Sequence, residues 1–110
     1  MVIVMRRFPS IRNGKYIAQA CHAALGAADL SSKEDIREWA KNGNTKIVVY
    51  VENDQSLYDL KEACRNAGLV SYLVIDAGRT EFNGPTVTAL GIGPHDSSIL
   101  DPITKHLPLF

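Results

Sequence analysis

Lys15, Gln19 and His22 are spaced i, i+4 and i+7, and at about 100° per residue a helix gathers them into a sector of roughly 60°. An ammonium beside an amide and an imidazole can bind phosphate, polarise a carbonyl or stabilise an oxyanion. Lys15 falls in the first turn of that helix, where the macrodipole disfavours a cation, so its position carries a local cost. The apolar residues of the same stretch, Ile17, Ala18, Cys21, Ala24, Leu25 and Ala28, form a separate stripe expected to face the core. The polar three are therefore expected on an open face. A second group, Asp76-Ala-Gly-Arg-Thr80, follows a β-rich run, and strand ends are where α/β sheets carry functional groups. An Asp there also caps turns, and Arg79 can simply pair with it; both readings stand at this point.

Other chemistries find little support. Leu90-Gly-Ile-Gly-Pro94 lacks the third glycine and the helix start of a nucleotide loop, and its glycines are read as allowing close backbone packing. No G-x-S-x-G, H-E-x-x-H or C-x-x-C occurs, so serine-hydrolase and metal readings are set aside. Cys21 and Cys64 stand far apart with no second ligand at metal spacing, and are expected as reduced thiols in the core. Net charge is formally zero, but residues 1–50 hold eight of the twelve Lys and Arg and only four of the twelve acids. Arg6, Arg7, Arg12 and Lys15 all precede the first acid, Asp29, giving a basic amino-terminal region of the kind phosphate contacts need.

These groups need elements to position them. A chain of 110 residues with 45% hydrophobic and 22% charged residues fits one domain with one core. The stretch from Tyr16 to Ala28 is too short and too polar to span a bilayer, and the amino terminus does not read as a signal peptide, so a cytoplasmic location is expected. Met1 to Met5 reads as a buried strand. A helix from about Gly14 to Ala28 follows, then a short one introduced by Ser31 or Ser32 in a capping-box pattern with Glu34 and Asp35, carrying Trp39 and ending near Gly43. Lys46 to Val51 reads as a strand, and Asn53 or Asp54 caps a helix that Gly68 stops, with Leu57, Leu60, Cys64 and Ala67 inward. Leu69 to Ile75 and Thr86 to Ile92 are strands joined through Asn83-Gly84-Pro85. The proline-rich tail is expected to hold a short helix near Ser97 to Leu100 and little more. The class is thus α/β: a single domain with a four-stranded mixed sheet flanked by helices. The first three strands are mostly parallel-paired and the fourth antiparallel.

Gly14-Lys-Tyr-Ile-Ala-Gln19, Cys21-His-Ala-Ala24, Trp39 with Gly43 and Lys46, Asp76-Ala-Gly-Arg-Thr80, Thr86-Val-Thr88 and Leu90-Gly-Ile-Gly-Pro94 together resemble the class II peptidyl-tRNA hydrolases of archaea and eukaryotes. The blocks run in the family's order across almost the entire chain. The resemblance implies hydrolysis of the ester between a peptide and the 3′-terminal ribose of tRNA, without metal or organic cofactor. It places the catalytic set on Lys15, His22, Asp76, Thr80 and Thr88 and substrate contacts on Arg12, Gln19 and Arg79. Asp76, with or without His22, would orient or deprotonate water, while Lys15 and a threonine hydroxyl stabilise the oxyanion. The resemblance also implies a homodimer.

The chain departs from that pattern at four places. Ser10-Ile-Arg-Asn13 replaces a lysine-rich loop, Tyr50 a lysine, Glu81 a glutamine beside Arg79, and Gly84-Pro85 inverts a Pro-Gly. These changes bear on tRNA affinity more than on chemistry, since phosphate contacts set affinity. They also frame the alternative, a catalytically weak RNA-binding or adaptor protein that keeps the fold.

Overall fold

A computed structural model describes residues 1–110. The elements are β1 (Val2–Arg6), α1 (Asn13–Leu30), α2 (Lys33–Lys41), β2 (Ile47–Val51), α3 (Asp54–Asn66), β3 (Ser71–Asp76), β4 (Thr86–Ile92) and α4 (Ser97–Thr104). The sheet order is β2-β1-β4-β3, with β1 parallel to β2 and β4 antiparallel to both β1 and β3. β1, β2 and β3 do run in one direction, but β4 inserts between β1 and β3. Only one of the three ladders is therefore parallel, not the majority expected from the sequence.

Alternation along the strands sorts side chains onto two faces. Val2, Val4, Val49, Val51, Val87, Leu90 and Ile92 meet Leu57 and Cys64 of α3 and Leu100 of α4. Ile3, Met5, Val74 and Ala89 meet Ala23 and Ala27 of α1, with Trp39 of α2 alongside. The result is a three-layer sandwich. The Ser32 side chain accepts from the Asp35 N–H and the Asn53 side chain from the Ser56 N–H, so both helix starts satisfy a free backbone donor.

α1 is rotated from its expected setting. Gln19, Ala23 and Ala27 are its buried residues, while Ile17 and Leu25 are 64% and 66% exposed and Cys21 is exposed. Close approach explains the choice: a Cβ on Gly91 of β4 would collide with the Ala23 carbonyl oxygen, so a small-residue face is what fits against the sheet. Gly91→Ala is expected to cost about 1–3 kcal/mol, read as a fall in the midpoint of denaturant unfolding; an unchanged midpoint would show that α1 can move away freely.

The carboxyl-terminal segment does more than expected. α4 runs through Pro102 to Thr104, at the cost of the one bond Pro102 would donate to Ser98. Beyond it, the Tyr50 N–H donates to the Pro108 carbonyl at 3.1 Å and the Phe110 N–H to the Val48 carbonyl at 3.0 Å. The tail thus covers the outer edge of β2. No helix is long and apolar enough to cross a membrane.

Candidate active site

The carboxyl end of β3 and the first two turns of α1 meet at Asp76. Its Oδ1 accepts from Lys15 Nζ at 2.8 Å and from Gln19 Nε2 at 3.1 Å, and its Oδ2 accepts from the Gly78 N–H at 2.8 Å. Lys15 Nζ also donates to Thr80 Oγ1 at 2.9 Å. The Lys15 and Asp76 side chains are each 14% exposed, enclosed but reachable. Lys15, acting first through its hydrogen bond, holds the Asp76 carboxyl below its ordinary value; partial burial opposes this, and the Gly78 N–H, the Lys15 charge and Gln19 add to the lowering.

The backbone prepares this geometry. Val74 stands opposite Ala89 but Ile75 opposite Val87, so the register shifts and Thr88 is the extra residue on β4. Such a bulge re-aims a side chain: Thr88 and Ala89, though consecutive, both face α1. Thr88 Oγ1 then donates to Gln19 Oε1 at 2.6 Å, which leaves the Gln19 amide nitrogen to point at Asp76. Gly78 adopts a φ of +78°, and a Cβ there would strike the Gly84 backbone. The 77–85 loop folds back at that point, which brings Thr80 over Lys15.

The expected site residues separate into three groups. Lys15, Asp76 and Thr80 come together in direct contact. Gln19 and Thr88 join them from within, at 2% and 1% exposure; Gln19 is thus buried rather than on the open stripe expected, and Thr88 touches the others through Gln19. The third group lies outside this network. His22 is exposed and lines, with Asp76, a groove of about 400 Å³ between α1 and β3. Arg12 is 90% exposed at the start of α1, and Arg79 is exposed on the loop. Glu81 does not pair with Arg79: its Oε1 lies 3.5 Å from Arg12 Nε and accepts from the Arg12 N–H at 3.3 Å. Of the two cysteines, only Cys64 is in the core, where burial pushes its thiol up to about 11.

An aromatic wall escaped the sequence reading. Phe8 and Phe82 pack with ring centroids 4.7 Å apart, Arg6 lies 4.5 Å from the Phe8 centroid and Lys15 Nζ 5.3 Å from that of Phe82. The stack backs the Lys15 ammonium with an aromatic face. Tyr50, where a cation was expected to be lost, holds Arg7: the guanidinium lies 4.1 Å from the Tyr50 centroid and 4.4 Å from that of Phe110. A larger cleft of about 570 Å³, between α2 and α4, contains none of the site residues. No three His, Cys, Asp or Glu side chains gather as a metal-holding group.

Fold and site together define an α/β sandwich with a lysine–aspartate–threonine centre at the end of its sheet. Residues 1–110 match the family model described as peptidyl-tRNA hydrolase PTH2. The chain is similar to the peptidyl-tRNA hydrolase of Methanothermobacter thermautotrophicus, at 40% identity over 98% of this chain and 96% of that protein. Similarity to the peptidyl-tRNA hydrolase of Methanopyrus kandleri is 42% over 98% and 95%. The probable peptidyl-tRNA hydrolase 2 of Dictyostelium discoideum is 38% identical over 99% of this chain and 53% of that longer protein. The chain belongs to the PTH2 peptidyl-tRNA hydrolase family.

Proposed function

We propose that this protein hydrolyses the ester between a peptide, or an N-blocked aminoacyl group, and the 3′-terminal ribose of tRNA. The observation that carries the reading is the convergence of Lys15, Asp76 and Thr80 within 2.9 Å contacts, in a chain of this family. An ammonium has three N–H donors, and Lys15 uses two of them, on Asp76 and Thr80. Thr80 accepts from Lys15, so its own O–H is free to donate. One N–H and one O–H therefore remain, about one hydrogen bond apart, to receive the oxygen that becomes negative as water adds to the ester carbonyl.

Asp76 accepts three hydrogen bonds and is held below its ordinary range, which makes it a weak proton acceptor. Its task is to fix Lys15 and to orient the water with its remaining lone pair. His22, on the wall of the same groove and with no hydrogen bond of its own, is free to take the water's proton. Collapse of the tetrahedral intermediate breaks the bond to the ribose oxygen, which takes the proton held by His22, releasing the peptide acid and a tRNA 3′-hydroxyl. In ¹⁸O-labelled water, N-acetyl-aminoacyl-tRNA should yield labelled acyl carboxylate and unlabelled tRNA. Label in the tRNA would mean attack at the ribose carbon and would contradict this centre.

Arg12 and Arg79 supply tRNA contacts in this reading. Glu81 holds Arg12, so Glu81→Gln should free that cation and lower KM by roughly two- to fivefold at low ionic strength. The gain should fade as salt rises, with kcat little changed. An unchanged KM at low salt would take Arg12 off the tRNA path. A second copy is the further partner this reading carries, and the outward Ile17, Cys21 and Leu109, which face away from the groove that holds His22, form the apolar surface it would cover. Sedimentation of the purified chain should give a dimer that Ile17→Glu dissociates. A monomer at every concentration would remove the second copy from the account.

A further inference from the structure

β3 is an outer strand of the sheet, and it ends at Asp76, so an unpaired row of backbone groups leads directly to the reaction centre. Its orientation can be read from both sides. The Val70 carbonyl accepts from the Gly93 N–H, on the β4 side, whereas the Ser71 carbonyl accepts from Lys61 Nζ at 3.2 Å, away from β4. Antiparallel ladders alternate, and the bulge lies on β4, which leaves the alternation of β3 intact. Leu73 and Ile75 therefore also turn N–H and C=O outward, and β3 pairs with no other strand. The groove of about 400 Å³ runs beside this edge, with His22, Leu25 and Gly26 of α1 on one wall and Tyr72, Ile75 and Asp76 on the other. Gly26 shapes it, since a Cβ there would enter the Tyr72 ring, so the ring packs directly against α1.

We infer that this edge binds the peptide portion of the substrate as an added strand, resting on the proposed hydrolase reading. The ester carbon at Lys15 and Thr80 marks the carboxyl end of the peptide, and the groove leads back from Asp76 along β3. The peptide then runs parallel to β3. In parallel pairing each outward residue accepts from one peptide N–H and donates to the carbonyl two residues earlier. Ile75 receives the N–H of the esterified residue, and Leu73 receives that of the residue two before it. Lys61 already occupies the Ser71 carbonyl, so the strand ends there and about three peptide residues are read. Recognition through main-chain groups is indifferent to side chains, so this edge would accept peptides of differing sequence. A bare aminoacyl ester lacks the peptide bond that engages this edge.

The test uses the intact protein and N-acetyl-trialanyl-tRNA, together with three versions carrying one N-methyl group on the first, second or third amide counted from the ester. A methyl on an amide held by β3 should raise KM about tenfold, the worth of a hydrogen bond blocked in place. A methyl on the amide facing away should leave it nearly unchanged. Alternation of high, low and high KM supports the added strand. Equal KM for all three, whether raised or not, overturns it. Failure to hydrolyse even the unmethylated ester would overturn the hydrolase reading itself, and the inference with it.

Discussion

Lys15→Ala is expected to lower kcat on N-blocked aminoacyl-tRNA by about a hundredfold or more, the usual consequence of removing an oxyanion donor. KM should change far less, because the side chain is enclosed and the role proposed for its free N–H is to meet charge that develops only as water adds to the ester. The same substitution carries a second readout. Lys15 is the largest cause of the lowered Asp76 carboxyl, and a group lowered on folding contributes stability that is present above its unfolded value and lost as pH falls through the folded one. Wild type should therefore lose stability as pH drops below about 3.8, and Lys15→Ala should lose less over that range, as thermal melts at stepped pH would record. Near-normal kcat in the variant would remove Lys15 from the chemistry, whatever the melts show.

Asp76→Asn is the second change of large effect. The neutral amide keeps one acceptor for Lys15 or Gln19 but sets an NH2 against the Gly78 N–H, now bonded to Oδ2. Two donors then face each other and the loop-to-strand junction must adjust. The charge that anchors Lys15 is lost at the same time. Turnover should fall by about two to four orders of magnitude, with circular dichroism unchanged. Because Asp76 is ionised throughout the neutral range, the acid limb of the wild-type profile assigned to this group lies below the ordinary carboxylate value of 3.8. A variant that keeps a tenth or more of wild-type kcat would leave Asp76 as a turn cap only.

The strands and helix caps were legible because they rest on strong local signals. Met1 to Met5 is uninterrupted and apolar, Thr86 to Ile92 appears with the bounds read from the sequence, and Ser32 and Asn53 each precede their helix. Lys15, Asp76 and Thr80 were legible as chemistry, although nothing in their spacing showed that one ammonium would bridge the other two. α1 was misread because its face is chosen by fit. Against Gly91 the helix needs alanines, so Ala23 and Ala27 turn inward, while the larger Ile17 and Leu25, which dominate any hydrophobicity count, turn out. That rotation carries Gln19 into the interior, where Thr88 can pair with it. The bulge that aims Thr88 arises from strand pairing, which periodicity within one strand does not encode. Glu81 turned to Arg12, 69 residues away in sequence, rather than to its neighbour Arg79. The tail on β2 likewise depends on main-chain groups left open by the sheet, not on the tail's own residue types.

Release of tRNA with a free 3′-hydroxyl from N-acetyl-aminoacyl-tRNA, followed over time for the purified protein beside Lys15→Ala and buffer, tests the proposed hydrolysis itself. The wild-type chain should release it rapidly, and the variant roughly a hundredfold more slowly. A folded wild-type protein that binds the tRNA but releases no more than buffer does would contradict the hydrolysis, and would favour an RNA-binding adaptor built on a hydrolase fold.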